Sequence, residues 1–271
     1  MSSDRWSTHA IEIGPVSVIK RFRDKGRERC EREWRALTLL DAYAPGLAAE
    51  PLRSDPAAAV PAIVMSRLSG TPLRGRTLDA RQVKALADAV TALQDAVPSP
   101  VLAGLPLRPG HQGELIAHIR DWSAAEGPHT DSGVSRGKDA GIAWLAKSGL
   151  ETGEPAVPAV FGPGDGNLAN YLWDGTRVRV VDFEDSGRSD RAFELAEITE
   201  HVSSWVGPPL DVPSFLGHFD LTAAEVSRLR DCRRLLALVW LFLLSFDDPD
   251  NPRNPPGTAD RQADRLLELL N

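Results

Sequence analysis

Short alternating runs near the start of the chain predict a β-hairpin followed by a helix. Thr8 to Ile13 and Val16 to Phe22 are rich in β-branched residues and alternate between polar and apolar positions. Such runs on either side of a Gly-Pro pair are typical of two paired strands. Lys25 to Tyr43 instead places Leu37 and Leu40 on one face and stops at a Pro-Gly pair, which predicts a helix.

After one more apolar strand, Val60 to Met65, the rest of the chain is dominated by helical periodicity. The clearest helix is Leu78 to Val97, which carries one apolar stripe. Thr222 opens another with the capping-box pattern T-A-A-E, and the apolar half of that helix, Leu235 to Phe246, is expected to pack centrally. Further helices are predicted at Gln112 to Ala125, Gly137 to Lys147, Arg191 to Trp205 and Ala259 to Leu270, with linkers at Pro98 to Pro109 and Glu126 to Arg136.

A second hairpin organises the candidate chemistry. Asp174-Gly175 lies between the β-prone runs Asn170 to Trp173 and Arg177 to Asp182, and Asp-Gly in that setting is a strong hairpin signal. The Gly-rich loop before the first strand carries Asp165, and the second strand ends on Asp182. Because a hairpin holds its strand ends side by side, Asp165, Asn170 and Asp182 are expected to converge.

These three side chains suit a particular division of labour. A carboxylate and an amide oxygen, here Asp182 and Asn170, are hard ligands that suit Mg²⁺. Magnesium keeps several waters and takes further ligands from substrate phosphates. The remaining carboxylate, Asp165, is then available to accept a proton from a hydroxyl group.

The order of these motifs resembles the protein-kinase-like fold, and within it the aminoglycoside phosphotransferase family. That family typically has H-G-D-x-x-x-x-N, a hairpin, I-D-x-x, then Gly-Arg and an Asp before a helix. Pro163 stands where the family has a His that mainly props the loop, so the departure puts the loop geometry in question. The matching positions are Gly164-Asp165, Asn170, Val181-Asp182, Gly187-Arg188 and Asp190.

The resemblance implies an α+β, two-lobed fold. Residues 1–68 form a nucleotide-binding lobe with a small antiparallel sheet and one helix. Residues 69–271 form a larger, mainly helical lobe for catalysis and substrate binding. The segment before the first hairpin is short for the family, so two interpretations stay open: a trimmed lobe, or a start that lies upstream.

The resemblance also implies a nucleotide site. Lys20 would contact the α and β phosphates of ATP, and Glu33 would fix it, with Glu31 as the competing residue on the same helix. Ser7 occupies the place of a loop serine that meets the phosphates. Near the strand that ends at Met65, the backbone of Ser66 and Leu68 would bind adenine while Met65 packs behind it.

Four further acidic residues are not assigned to this nucleotide site. Asp190 is expected to cap the following helix, and in the family it also braces the catalytic loop. Glu184 has no assigned role. Asp247 and Asp248 lie in a Pro-rich segment, where a solvated loop is the favoured interpretation. The other interpretation is an acidic surface that binds an amine-bearing acceptor.

Composition narrows the choice of partners. The chain has 271 residues, 42% of them hydrophobic, and a net charge of −7. That charge argues against nucleic-acid binding and would suit a cationic substrate. Two widely separated cysteines fit a reducing cytosol, and no signal peptide or membrane-length apolar run is evident. A cytoplasmic monomer or weak dimer without membrane contact is expected.

Together these features predict an ATP- and Mg²⁺-dependent phosphotransferase that acts on a hydroxyl of a small molecule. Aminoglycosides, other antibiotics, amino sugars and amino alcohols are all candidate acceptors, and the sequence does not choose among them or between ATP and GTP. The alternative is a catalytically silent, kinase-like protein that binds nucleotide.

Overall fold

The computed structural model describes residues 9–23, 26–125, 132–151, 157–248 and 250–271. Strands and helices are numbered along the chain. The strands are β1 (Ala10–Ile13), β2 (Ser17–Arg21), β3 (Pro51–Asp55), β4 (Ala62–Ser66), β5 (Thr71–Pro72), β6 (Ala159–Gly162), β7 (Tyr171–Trp173), β8 (Val178–Val180) and β9 (Gly187–Asp190). The helices are α1 (Gly26–Tyr43), α2 (Ala80–Ala96), α3 (Ser99–Ala103), α4 (Gln112–Ala125), α5 (Gly133–Ser148), α6 (Arg191–Glu200), α7 (Val212–Leu216), α8 (Ala223–Ser245) and α9 (Thr258–Leu270).

The small lobe is an antiparallel sheet in the order β1-β2-β4-β3, with α1 packed against it. Lys20 of β2 is paired with Ile63 of β4, and both side chains are buried. Because side chains alternate across a strand, this register places the Lys20 ammonium on the inner face of the sheet, toward α1. The predicted first hairpin and helix are therefore present.

The burial pattern of α1 determines which of the two candidate glutamates, Glu31 or Glu33, faces the sheet. Its buried positions include Cys30, Glu33, Leu37 and Leu40, which follow helical spacing. Glu31 lies on another face, where its carboxylate accepts a hydrogen bond from Arg27 at 2.9 Å. Glu33 thus belongs to the buried stripe and points at the sheet.

The large lobe is built around α8, which packs against α5, α6 and α9. Its apolar half is buried as predicted, including Leu235, Leu238 and Phe242. Thr222 and Glu225 form the predicted capping box at its start. The predicted stripe of α2 is also buried: Val83, Leu86, Val90, Leu93 and Val97.

Several elements differ from the sequence-based prediction. Helix α3 lies within the linker expected at Pro98 to Pro109, and β5, β6, β9 and α7 were not predicted. The strand β3 was not predicted, because it begins with a proline and is largely polar and exposed. Helix α5 starts at Gly133 rather than Gly137, since Ser132 caps it by accepting a hydrogen bond from the Ser135 amide. The helix expected at Arg191 to Trp205 ends at Glu200, where His201 adopts φ −58° and ψ 137° and a short 3₁₀ helix follows.

The chain passes between lobes after β4. Strand β5 pairs with β7 of the second hairpin, and a lobe boundary at residues 68 and 69 stays a prediction. Both cysteines, Cys30 and Cys232, are free and buried. Among the residues that the structure describes, no helix has the length and apolar character needed to cross a membrane.

The capping box of α8 gives a direct test of this architecture. We expect Thr222→Ala to lower the free energy of unfolding by about 1 kcal/mol, because the amide of Glu225 loses its hydrogen-bond acceptor. Denaturant unfolding measures the change, with Thr222→Ser as the control that keeps the hydroxyl. An alanine variant as stable as the serine variant would show that the cap contributes nothing.

Candidate active site

The ammonium group of Lys20 lies among three carboxylates in the cleft between the lobes. Its Nζ is 2.6 Å from Glu33 Oε2, 2.6 Å from Asp182 Oδ1 and 2.9 Å from Glu184 Oε2. Burial opposes the charged form, but the negative charges of the three acids raise the pKa of Lys20 above its ordinary range. The lysine is therefore a fixed cation held by residues from both lobes.

Glu33 and Glu184, the other two acids that contact Lys20, differ in their surroundings. Burial raises the pKa of Glu33 to about 7, against the opposing effect of the Lys20 charge. Burial also acts against ionisation of Glu184, yet its contacts with His9 and Lys20 lower its pKa to about 2. Arg29 lies 3.2 Å from the other oxygen of Glu184. Glu184, which had no assigned role, thus connects Lys20 to Arg29 of α1 and to His9, the residue before β1.

Asp182 reaches this cluster because of an unusual backbone conformation. It follows β8 and has φ +69°, the one positive φ at a non-glycine residue in the part of the chain that the structure describes. Aspartate tolerates this left-handed region better than most residues. The turn directs Oδ1 to Lys20 while 38% of the side chain stays exposed to the cleft.

Asp165 and Asn170 are joined by a side-chain hydrogen bond. Asn170 donates through Nδ2 to Asp165 Oδ2 at 2.9 Å, and the amide of Asn167 donates to Oδ1 at 2.9 Å. The backbone oxygen of Asn170 accepts from the Val181 amide, next to Asp182. Asp165 and Asn170 are therefore in direct contact, and the second hairpin connects them to the turn that carries Asp182. The convergence of all three on one metal ion stays a prediction.

The environment of Asp165 is a deep recess that remains open to solvent. Surrounding protein atoms raise the pKa of its carboxyl to about 6, and the charge of Asp182 acts in the same direction. Even so, 37% of the side chain is exposed. The carboxylate is therefore accessible from solvent.

Two glycines on either side of Asp165 allow the loop to pack closely. Gly164 has φ +89°, and a Cβ there would lie 2.0 Å from the Asp185 carbonyl oxygen. A Cβ at Gly166 would lie 2.2 Å from the Glu197 carbonyl oxygen. Distances this short exclude any side chain, so the Gly-Asp-Gly segment is required by packing on both faces.

Comparison with known proteins identifies the family. Residues 6–235 match the model of the phosphotransferase enzyme family, and this match covers most of the chain. The chain belongs to the phosphotransferase enzyme family. It is therefore a phosphotransferase of the small-molecule kinase type. A search of the curated proteins found no significant match.

Solved structures confirm the two-lobed, protein-kinase-like fold of this phosphotransferase. A choline/ethanolamine kinase family protein from Mesorhizobium loti is 19% identical with a TM-score of 0.61, over 98% of this chain and 86% of that one. Choline kinase LicA from Streptococcus pneumoniae is 15% identical with a TM-score of 0.64, over 99% and 91%. Aminoglycoside phosphotransferase APH(3'')-Id from Streptomyces rimosus, in complex with ADP and streptomycin, is 20% identical with a TM-score of 0.60, over 83% and 85%.

The edge of the phosphotransferase cleft near β4 is only partly available to a purine. Met65 is buried, as expected. The amide of Ser66 donates to the Glu50 carbonyl oxygen at 2.9 Å, and the Ser66 hydroxyl accepts from the Glu50 amide. The Ser66 N–H is therefore occupied within the protein, and adenine binding by the backbone of Ser66 and Leu68 stays a prediction.

The remaining acidic residues have local roles. Asp190 accepts a hydrogen bond from the Phe193 amide and pairs with Arg228 at 2.8 Å, so it joins α6 to α8. No hydrogen bond from its side chain to the loop around Asp165 is found among the described residues. Asp247 accepts from the amides of Arg253 and Asn254, so it closes turns of its own loop.

Asp248 behaves in the same way, because its side chain accepts from the Asp250 amide. This arrangement suits the interpretation of a solvated loop, and an acceptor-binding role for Asp247 and Asp248 stays a prediction. Ser7, the expected phosphate contact near the start of the chain, lies outside the described residues.

Arg108 is a functional-site residue that the sequence analysis missed. It is 4% exposed, and it donates to the Gly164 carbonyl oxygen at 2.7 Å. Its guanidinium also contacts Glu197 at 2.8 Å and Glu194 at 3.2 Å. Arg108 therefore braces the loop next to Pro163. The available signal was the pair of glutamates in the apolar helix α6, since buried acids require a cation.

Glu194 and Glu197 depend on this arginine. Burial raises the pKa of Glu197 to about 7, with Arg108 opposing and Glu194 reinforcing the rise. Conversely, the two acids raise the pKa of Arg108 beyond its ordinary value, although burial acts in the opposite direction. Removing the arginine would leave two acids buried without a partner charge.

We expect Arg108→Met to lower the free energy of unfolding by about 3–5 kcal/mol, because it leaves buried carboxylates uncompensated. Denaturant unfolding measures this loss, and the matched control Arg81→Met, at an exposed position, should change it by less than about 0.5 kcal/mol. Adding Glu197→Gln to Arg108→Met should restore part of the stability. No restoration would contradict the charge argument.

Proposed function

We propose that this protein transfers the γ-phosphoryl group of ATP to a hydroxyl of a small molecule, with Mg²⁺ required. The observation that carries the proposal is the contact of Lys20 with Asp182 at 2.6 Å, beside the linked pair Asp165 and Asn170. A fixed cation for phosphates, two oxygen ligands for a metal and an open carboxylate then lie in one cleft. This is the set of groups that phosphoryl transfer needs.

On the nucleotide side, Lys20 contacts the α and β phosphates, and Glu33 holds it in place. The 2.6 Å contact between these two residues supports the assignment, because both are buried and Lys20 cannot swing away without leaving Glu33 unpaired. The purine packs on Met65 and bonds to the Ser66 carbonyl and the Leu68 amide. Ser7 is assigned to the phosphates on the resemblance alone.

On the metal side, Asn170 and Asp182 hold Mg²⁺. The donor set fits, because the amide nitrogen of Asn170 is engaged by Asp165, so its side-chain oxygen is the atom left for a ligand. The exposed part of Asp182 faces the cleft in the same way. When bound, the ion neutralises charge on the β and γ phosphates.

Asp165 orients the acceptor and takes its proton. As the acceptor oxygen forms its bond to the γ-phosphorus, the bond from that phosphorus to the bridging oxygen breaks, and ADP leaves. The proton of the hydroxyl passes to the Asp165 carboxylate. Catalysis of this kind depends mainly on positioning and on electrostatic stabilisation.

The acceptor is proposed to be an amine-bearing small molecule, such as an aminoglycoside or other antibiotic, an amino sugar or an amino alcohol. The net charge of −7 and the related proteins whose names include choline kinase and a streptomycin complex support this class. Asp247 and Asp248 would contribute acidic groups for the amine. A panel of such compounds, followed by ADP release, identifies the acceptor. ATP binding without turnover of any compound or of water would favour a catalytically silent protein.

The role of Asp165 is tested by its removal. We expect Asp165→Ala to reduce kcat by about 10²–10⁴-fold, because the hydroxyl loses both its orientation and its proton acceptor. The affinity for AMP-PNP without Mg²⁺, measured by calorimetry, should stay close to that of the parent, because Lys20 and Glu33 are unchanged. Asp88→Ala, at an exposed carboxylate of α2, is the control. Parent-like turnover of Asp165→Ala would refute the assignment.

The metal role of Asp182 is tested with a substitution that its backbone tolerates. Asparagine also accepts positive φ, so Asp182→Asn should fold normally. We expect it to weaken binding of Mg–AMP-PNP by about tenfold or more, because a charged ligand becomes neutral. Binding of AMP-PNP without Mg²⁺ should not weaken. Equal losses with and without the metal would contradict a metal-ligand role.

A further inference from the structure

His201 has a fixed ring that points at Asp165. It lies between α6 and the short 3₁₀ helix Val202–Ser204, and it is 7% exposed. Its Nδ1 accepts a hydrogen bond from the Ser203 amide at 3.0 Å. The ring also meets Trp240 of α8 edge-on, with centroids 4.8 Å apart and planes at 84°. These contacts leave the imidazole little freedom to rotate.

The same contacts assign the proton of the ring. Nδ1 accepts the Ser203 N–H and also lies 2.7 Å from Ser203 Oγ. Since that hydroxyl oxygen already accepts from the Leu168 amide, its own proton can be donated to Nδ1, and the neutral imidazole then carries its proton on Nε2. The ring is neutral, since burial, reinforced by the charge of Arg74, lowers the pKa of His201 to about 3. Nε2 lies 3.6 Å from Asp165 Oδ1. In this tautomer the N–H group is on the nitrogen that lies near the carboxylate proposed as the proton acceptor.

The two oxygens of Asp165 have different partners. Oδ1 accepts from the Asn167 amide, and Oδ2 accepts from Asn170, each at 2.9 Å. A carboxylate oxygen has room for about one more donor. If His201 donates to Oδ1, that oxygen has no room for a further donor. A substrate hydroxyl would then donate to Oδ2, the oxygen that faces Asn170 and the proposed metal.

We propose that His201 is a positioning residue that directs the acceptor hydroxyl to Oδ2 of Asp165. In the loaded enzyme its Nε2–H donates to Oδ1 and fixes the rotation of the carboxylate. The separation of 3.6 Å is longer than a hydrogen bond, and catalytic hydrogen bonds often tighten when substrate binds. The proposal rests on the proposed function of Asp165.

The competing explanation is purely structural. His201 caps the 3₁₀ helix through Nδ1, and that helix also holds the catalytic loop, since the Leu168 amide donates to Ser203 Oγ at 2.9 Å. Loss of the cap alone would therefore disturb the loop. The two roles use different nitrogens of one ring, so two substitutions separate them.

His201→Asn keeps an acceptor near the Nδ1 position, but it has no donor near Nε2. His201→Gln keeps a donor near Nε2 and loses the short acceptor. Positioning predicts that His201→Asn lowers kcat by about 10–100-fold with KM for ATP nearly unchanged, while His201→Gln stays within about fivefold of the parent. The measurement is phosphoryl transfer to an acceptor identified from the panel. If the panel identifies no acceptor, basal ATP hydrolysis is measured instead. The reverse order of the two variants overturns the proposal.

NMR of the parent protein decides the matter independently of turnover. With ¹⁵N-labelled histidine, the His201 signals are identified by their loss in His201→Gln. We expect the Nε2–H tautomer, and a downfield shift of its proton when Mg–AMP-PNP is added. The Nδ1–H tautomer, or a proton unaffected by the nucleotide, overturns the proposal. The expected tautomer and shift in a protein that turns over no acceptor and no water would instead leave the positioning intact and refute the proposed function.

Discussion

A single buried ammonium group, that of Lys20, joins the two lobes where the candidate active site lies. Its three carboxylate partners come from α1 and from the segment after the second hairpin, all within 2.9 Å. Burying charges is costly, and such a cluster is tolerable only when each charge has close partners. Arg29 and His9 share Glu184 with Lys20, so each acid of the cluster has a basic partner and the cluster connects the two lobes.

The catalytic loop depends on supports that come from distant parts of the chain. Arg108 holds the Gly164 carbonyl from one side, and Ser203 holds the Leu168 amide from the other. Gly164 and Gly166 allow neighbouring backbone to approach closely enough for these contacts. Pro163, which stands in place of the His that props this loop in the family, is thus accommodated. A loop supported in this way holds Asp165 in one position, as phosphoryl transfer requires.

The region around Asp165 also has a chemical asymmetry. Toward the small lobe lie Asn170, Asp182 and Lys20, the groups suited to a metal and to phosphates. Toward α8 lie His201 and Trp240, which present an N–H donor and an aromatic face. A carboxylate between a polar nucleotide side and a more rigid aromatic side has one preferred orientation. Under the proposed function, this asymmetry sets the side from which an acceptor hydroxyl approaches Asp165.

The sequence by itself determined the local features: the stripe of α2, the capping box of α8, the two hairpins, and the order Lys20, Asp165, Asn170, Asp182. These depend on periodicity and turn chemistry, which act between residues close in the chain. Only the tertiary structure brought Arg108 to Gly164 and Glu194, which are 56 and 86 residues away, and His201 to Asp165. A local pattern, such as the glutamates of α6, can show that a partner is needed, but how the helices pack selects that partner. The sequence therefore specified the candidate catalytic and metal-binding groups, and packing specified the groups that hold them in place.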